Sequence, residues 1–204
     1  SVIILLGIGF GFLYSASKPS GLKFYNNQYY YIIRQGIYLA IGIVTFIIGF
    51  FLNHNIYKKY IKLIIIGTIV LLILTLMPYI GKEVGGAKRW IAIPFFQFQP
   101  SEIAKVAIIL YLSSVLSNKQ EMIKDFYRGV LPPLVLVFFI VFLIFIEPDF
   151  STSIILLLLT FIILFLAEVK IITLIMLTIV GSVGSFVMLS FAQYRLKRFL
   201  AFLN

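Results

Sequence analysis

The stretch Leu134–Ile146, LVLVFFIVFLIFI, is followed after Glu147-Pro148-Asp149 by a second apolar stretch, Ile154–Leu166, IILLLLTFIILFL. Neither stretch alternates polar and apolar residues, as the strands of a membrane β-barrel do. Long uninterrupted runs of this kind are typical of helices that cross a lipid bilayer. Because similar runs recur along the chain, we predict an all-α fold, a polytopic transmembrane helical bundle.

The apolar runs outline about seven spans. Prolines fall near their ends, as expected for a residue that disrupts a helix interior but fits its first turn. Pro100 opens the fourth span, and Pro132-Pro133 lie early in the fifth. The predicted spans cover approximately residues 2–15, 30–52, 61–80, 100–117, 129–147, 151–167 and 171–192.

The composition excludes several classes of protein and site. Hydrophobic residues make up 62% of the 204 residues and charged residues 12%, whereas a soluble domain carries about 25% charged residues. The chain has no cysteine and one histidine, His54, which excludes a disulfide framework, a thiol nucleophile and a Cys- or multi-His metal centre. No metal site is predicted, no cofactor is evident and nucleic acid is not an expected partner, while a divalent-cation requirement stays open.

The two ends of the sequence look cut. The chain starts at Ser1 without an initiator Met or the basic region of a signal peptide, and it stops after a basic stretch. We therefore expect residues 1–204 to form a single transmembrane domain, truncated at both ends, within a longer protein.

A cluster of charge between two spans is the first candidate for a functional site. Lys88 and Arg89 precede the fourth span, and Glu102 and Lys105 lie in its first turns. Ionisable groups at membrane depth are costly, so they usually serve a function. The alternative is a helix end stabilised by an internal salt bridge, with Gln99 or Ser101 satisfying free backbone N–H groups.

The Glu147-Pro148-Asp149 turn emerges on the same side as residues 81–99 if successive spans alternate direction. Asp149 could then join Lys88, Arg89, Glu102 and Lys105 around an anionic head group, or it could simply cap the sixth span. Lys and Arg are nearly equal on the two sides, so charge does not fix the orientation. A basic outer face would suit an anionic lipid or a phosphate ligand.

Two further features carry weaker predictions. Gly85-Gly86 permits a tight turn before Lys88, although a glycine pair alone is a weak phosphate-loop signal. The basic stretch Tyr194–Arg198 fits either a surface helix that contacts lipid phosphates or the start of a larger loop.

In these motifs the chain resembles the SEDS family of bacterial cell-wall polymerases, which includes FtsW, RodA and SpoVE. Phe126–Pro132 and Asp149-Phe150 resemble the FtsW pattern more than that of RodA. The matching motifs, in chain order, are Tyr14-Ser15-Ala16-Ser17, Gly86-Ala87-Lys88-Arg89-Trp90-Ile91, Phe98-Gln99-Pro100-Ser101-Glu102-Ile103-Ala104-Lys105, Glu147-Pro148-Asp149-Phe150 and the stretch from Tyr194 to Leu203.

The resemblance implies about ten spanning helices, with about seven of them in this chain. It implies a peptidoglycan glycosyltransferase in the bacterial cytoplasmic (inner) membrane that polymerises lipid II, with a pocket on the extracytoplasmic side. The 4-hydroxyl of one lipid-linked disaccharide would attack the anomeric carbon of the growing chain, and undecaprenyl pyrophosphate would leave. A class B penicillin-binding transpeptidase, other cell-division proteins and membrane lipids are the implied partners.

The family pocket maps onto Glu102, Lys105 and Asp149, with Arg89 and Lys88 beside it. The family usually has Gln-Pro-Asp-Phe-Gly-Thr where this chain has Glu147-Pro148-Asp149-Phe150-Ser151-Thr152, with an added acid and no glycine, while Asp149 itself is kept. Its proposed catalytic aspartate, the general base, would lie beyond Asn204, so no catalytic residue is assigned and residues 1–204 alone are expected to be inactive.

Two other functions compete with polymerisation. A flippase or transporter of lipid-linked precursors needs charges along a path through the membrane, whereas the charges here, apart from Arg34, cluster at one end. A non-catalytic cell-division scaffold would have no use for a basic pocket.

Overall fold

A computed structural model of the chain describes residues 2–84, 87–93, 96–118, 123 and 125–191. Long helices dominate this part of the chain, which confirms the predicted helical membrane bundle. Four segments are long and apolar enough to cross a bilayer: Tyr30–Phe51, His54–Leu76, Pro100–Ser117 and Phe126–Ile146. The helices are α1 (Val2–Tyr25), α2 (Tyr30–Phe51), α3 (His54–Leu76), α4 (Pro100–Asn118), α5 (Leu131–Ile146), α6 (Phe150–Leu166) and α7 (Ile171–Phe191).

Two predicted boundaries are wrong. Helix α1 continues to Tyr25, about ten residues past the predicted end of the first span, and contains Pro19. Helix α3 begins at His54 rather than near residue 61, so Lys58 and Lys59 belong to it. Both extensions contain lysines and other polar residues that interrupt the apolar sequence, and apolar runs outline the membrane-embedded part of a helix rather than its full length.

Three short strands between α3 and α4 form a small antiparallel sheet where the sequence predicted only a connection. Its strands are β1 (Gly81–Val84), β2 (Ala87–Ile93) and β3 (Phe96–Phe98), in the order β1-β2-β3. Lys82 pairs with Trp90 across β1 and β2, and Ala92 pairs with Gln97 across β2 and β3. Strands this short give little alternation to detect, so the signal was missed.

The chain divides into two compact units, Ser1–His54 and Asn55–Asn204. In the first unit α1 packs against α2. Tyr25 stacks on Tyr30 with 3.7 Å between the ring centroids. The guanidinium of Arg34 donates to the hydroxyls of Tyr30 and Tyr38 at 3.1 and 3.0 Å, so neutral phenols solvate this intramembrane cation.

The second unit is built around α6, which packs against α4, α5 and α7. Its core is apolar, and two of the fully buried side chains on α6 are Leu156 and Leu164. The outward apolar side chains of α5, such as Phe139 and Phe142, are exposed, as expected where lipid replaces protein contacts. This packing brings the N-terminal ends of α4 and α6 together beside the sheet, because α4 also contacts β2.

The turn from α3 into β1 depends on a glycine. A Cβ added to Gly81 would lie 2.0 Å from the carbonyl oxygen of Thr75, a backbone atom that cannot move aside. We expect Gly81→Ala in the full-length protein to lower the free energy of unfolding by about 1–3 kcal/mol. Thermal unfolding in detergent measures this. Gly67→Ala is the control, because a Cβ there meets nothing within 4 Å, and equal melting temperatures for the two variants would contradict the prediction.

Candidate functional site

Asp149 is the centre of a buried polar cluster at the N-terminal end of α6. It caps that helix by accepting a hydrogen bond from the backbone N–H of Thr152, and the Thr152 hydroxyl donates to its Oδ2 at 2.8 Å. The side chains of Gln99 and Ser101 also donate to Oδ2, the latter at 3.2 Å. With 2% of its surface exposed, Asp149 is a buried carboxylate whose lone pairs are largely taken up by neutral donors.

Arg89 is the cation that faces this carboxylate. It lies on β2, and its Nη1 is 3.6 Å from Asp149 Oδ1. The Arg89 side chain is 32% exposed, whereas its Nε is buried and has no hydrogen-bond partner among the described residues. Only the exposed part of the side chain can therefore meet an anion, while Asp149 fixes one side of the guanidinium.

Lys88 and Arg89 are neighbours in sequence but differ in exposure. Ala87 is buried, Lys88 is exposed and Arg89 is half-buried. The register between β1 and β2 is irregular here, because Lys82 pairs with Trp90 and Glu83 pairs with Lys88, so that Arg89 is skipped. The structure brings Arg89 to Asp149 and leaves Lys88 exposed.

Glu102 and Lys105 form an ion pair one turn apart on α4, with 2.7 Å between Lys105 Nζ and Glu102 Oε2. The Glu102 side chain is 57% exposed and that of Lys105 is 24% exposed. This is the internally paired helix end that the sequence offered as an alternative. The pair lies on the same helix as Ser101, which reaches Asp149.

From the sequence, Gln99 and Ser101 were predicted only as helix-capping residues, and Thr152 appeared only as part of a motif. In the structure their side chains all donate to Asp149. Burial of Glu147, and its hydrogen bond to Thr75 on α3, were not anticipated. The sequence feature that could have indicated this contact is Thr75 itself, a polar residue near the end of an apolar run.

Two predictions fall on residues outside the described part of the chain. These are the tight turn at Gly85-Gly86 and the basic stretch Tyr194–Arg198. Their structural roles stay predictions.

Comparison with known proteins gives concordant results. A family model covering FtsW, RodA and SpoVE, described as "Cell cycle protein", matches residues 1–204. A probable peptidoglycan glycosyltransferase FtsW from Geobacter sp. (strain M18) is 30% identical over 202 residues, which are 99% of this chain and 55% of that protein. A protein of the same name from Trichlorobacter lovleyi is 32% identical over 203 residues, 100% of this chain and 53% of that protein. The chain thus spans about half the length of these relatives.

Solved structures share the fold. The rod shape determining protein RodA of Thermus thermophilus, in a variant form, matches with a TM-score of 0.65 and 24% identity, over 88% of this chain and 57% of that one. A chain from a peptidoglycan synthase complex matches with a TM-score of 0.64 and 23% identity, over 87% of this chain and 54% of that one. The chain belongs to the FtsW/RodA/SpoVE family of integral membrane proteins.

Proposed function

We propose that the full-length protein is a peptidoglycan glycosyltransferase of the FtsW type, which polymerises glycan strands from lipid II at the outer face of the bacterial inner membrane. The contact between Arg89 and Asp149 carries the proposal. It joins two sequence motifs, Gly86–Ile91 and Glu147–Phe150, that lie about 60 residues apart in the chain. The names of the FtsW relatives support the same reaction class.

We assign to Arg89 the binding of the anionic part of the substrate. The Arg89 side chain is partly exposed, and a guanidinium carries five N–H donors, more than the single contact with Asp149 uses. A pyrophosphate group offers oxygens that match the planar fork of a guanidinium. In this role Arg89 would hold the lipid-linked pyrophosphate and stabilise negative charge on it as the bond to the sugar breaks.

Asp149 orients rather than reacts. Hydrogen bonds from Gln99, Ser101 and Thr152, together with Arg89, engage its oxygens, so it is badly placed to accept a proton from a sugar hydroxyl. We assign proton abstraction to none of the residues described.

An apolar groove next to the site suits a lipid-linked substrate. A cavity of about 340 Å³ is lined by Phe142, Phe150 and Ser153 among others, and the Ser153 hydroxyl donates to the backbone carbonyl of Asp149 at 3.0 Å. A second cavity of about 390 Å³ shares Phe138 and Leu157 with the first, so the groove continues along α6. Its walls match an isoprenoid chain, with the charged site at one end.

The decisive experiment compares polymerisation with transport. The purified full-length protein, with a class B penicillin-binding transpeptidase as partner, is supplied with labelled lipid II in proteoliposomes. We expect glycan strands to form and no label to cross the bilayer. Transfer of label across the bilayer without polymer would refute the proposal in favour of a flippase, and neither activity would favour a scaffold.

Glu102 and Lys105 belong to the proposed pocket as its exposed rim. Because an exposed i,i+3 pair contributes little, we expect Lys105→Ala to lower the free energy of unfolding by at most about 0.5 kcal/mol. If Lys105 helps to hold the pyrophosphate, the same change lowers the rate at limiting lipid II by about 10-fold. Lys170→Ala, an exposed lysine just before α7, is the control. Polymerisation by Lys105→Ala at the wild-type rate would show that Lys105 is not part of the substrate pocket.

A further inference from the structure

Glu147 is a buried acid with no evident role in the proposed chemistry. It lies in the turn between α5 and α6, just outside both helices, and it is 0% exposed. One of its oxygens, Oε1, is hydrogen-bonded to the hydroxyl of Thr75 on α3. Its other oxygen, Oε2, is buried and has no hydrogen-bond partner among the described residues. A carboxylate in this state would be costly, because a buried charge needs full compensation.

The single proton on the Thr75 hydroxyl indicates whether the Glu147 carboxyl is neutral or ionised. Thr75 Oγ1 also lies 2.6 Å from the carbonyl oxygen of Leu72, which can only accept. A hydroxyl carries one proton, so Thr75 cannot donate to both oxygens. If Thr75 donates to Leu72, it can accept from Glu147, provided that the Glu147 carboxyl is protonated. The neutral acid satisfies both contacts, whereas the carboxylate leaves one of them unmade.

The surroundings of Glu147 favour the same form. Burial raises the pKa of its carboxyl from 4.5 to about 7; a hydrogen bond donated by Thr75 acts in the opposite direction, and the negative charge of Asp149 adds to the rise. The Glu147 side chain contacts the neutral Thr75 on α3, and the carboxylate of Asp149 in the same turn adds a nearby negative charge. Arg89, on β2, is paired with Asp149. The polar groups of α4 that reach this region, Gln99 and Ser101, are directed at Asp149.

We propose that Glu147 is a positioning residue that acts as a neutral acid, donating from its carboxyl to Thr75 and so tying the turn that carries Asp149 to the end of α3. Thr75 is also the residue whose carbonyl Gly81 approaches at the start of β1. The end of α3 therefore fixes both the Asp149 turn and the sheet that carries Arg89. Ionisation of Glu147 forces Thr75 to give up its hydrogen bond to either Leu72 or Glu147, and it places a second negative charge beside Asp149.

The first test is thermal unfolding of the full-length protein against pH. Because the pKa is raised in the folded state, the stabilisation is complete below about pH 4.5 and is lost as the pH rises through about 7. We expect the wild-type melting temperature to fall over this range relative to Glu147→Gln, by an amount on the order of 5 °C. The amide of glutamine donates to Thr75 and cannot ionise. Glu83→Gln, an exposed acid on β1, is the control and is expected to follow the wild type.

The second test is the polymerisation rate against pH, and it rests on the proposed function. We expect Glu147→Gln to retain its rate above pH 7 where the wild type declines, and Glu147→Ala to be slow at every pH. Parallel wild-type and Glu147→Gln curves in both measurements would overturn the positioning role. If no variant polymerises lipid II, the proposed function fails, while the unfolding curves still decide the protonation of Glu147.

Discussion

Asp149→Ala in the full-length protein is expected to lower the rate of glycan-strand formation by at least about 100-fold, which corresponds to about 2.7 kcal/mol of transition-state stabilisation. The change removes the common acceptor for Gln99, Ser101 and Thr152 and frees Arg89 from its fixed position. Loss of orientation at a charged site is costly because small displacements weaken charge stabilisation in the transition state.

Asp149→Asn separates the charge from the shape of this side chain. The amide keeps one oxygen as an acceptor, but it offers Arg89 no negative charge. We therefore expect Asp149→Asn to fold with a melting temperature close to that of the wild type and still to polymerise slowly. Glu83→Gln makes the same chemical change at an exposed acid on β1 and serves as the control. Polymerisation by Asp149→Asn at the wild-type rate would show that the charge is not required.

The helices could be predicted from the sequence because bilayer crossing demands long apolar runs. The runs from Leu134 and Ile154 coincide with α5 and α6 to within a few residues. The sheet could not be predicted, because strands as short as Phe96–Phe98 are stabilised by pairing with their neighbours rather than by their own pattern. The polar start of α3 was missed because it lies outside the apolar run.

The candidate site was predictable only in its outline. Alternation of the spans correctly placed Asp149 on the side of residues 81–99, and the Arg89 contact follows from that. The difference in exposure between Lys88 and Arg89 arises within β2, a strand that was not foreseen. The contact between Thr75 and Glu147 joins residues 72 positions apart, a relation that depends on tertiary packing.

Arg89→Ala is expected to destabilise the protein, because it leaves the buried carboxylate of Asp149 without its cation. Removing Arg89 leaves a carboxylate that is 2% exposed, whereas removing Asp149 leaves a guanidinium that is 32% exposed and can be solvated by water. Breaking a buried ion pair costs about 3–5 kcal/mol. Because Arg89 is partly exposed and neutral donors still hold Asp149, we expect about 2 kcal/mol for Arg89→Ala.

A double-mutant cycle tests this coupling. We expect the double variant Arg89→Ala/Asp149→Ala to be destabilised by less than the sum of the two single variants, because both single changes break the same ion pair. Thermal unfolding of the three variants and the wild type measures the coupling. Strict additivity would mean that the two groups, 3.6 Å apart, do not interact in the folded protein.

The same arginine should control the affinity for the lipid-linked substrate. If Arg89 binds pyrophosphate, Arg89→Ala raises KM for lipid II by at least about 10-fold. Arg89→Lys keeps the charge but loses the planar fork, so it should recover stability more fully than affinity. Lys88→Ala, which removes the exposed cation next to Arg89 on β2, should leave KM within about twofold of the wild type. A rise in KM for Lys88→Ala equal to that for Arg89→Ala would show that general positive charge, rather than the fixed guanidinium beside Asp149, attracts the substrate.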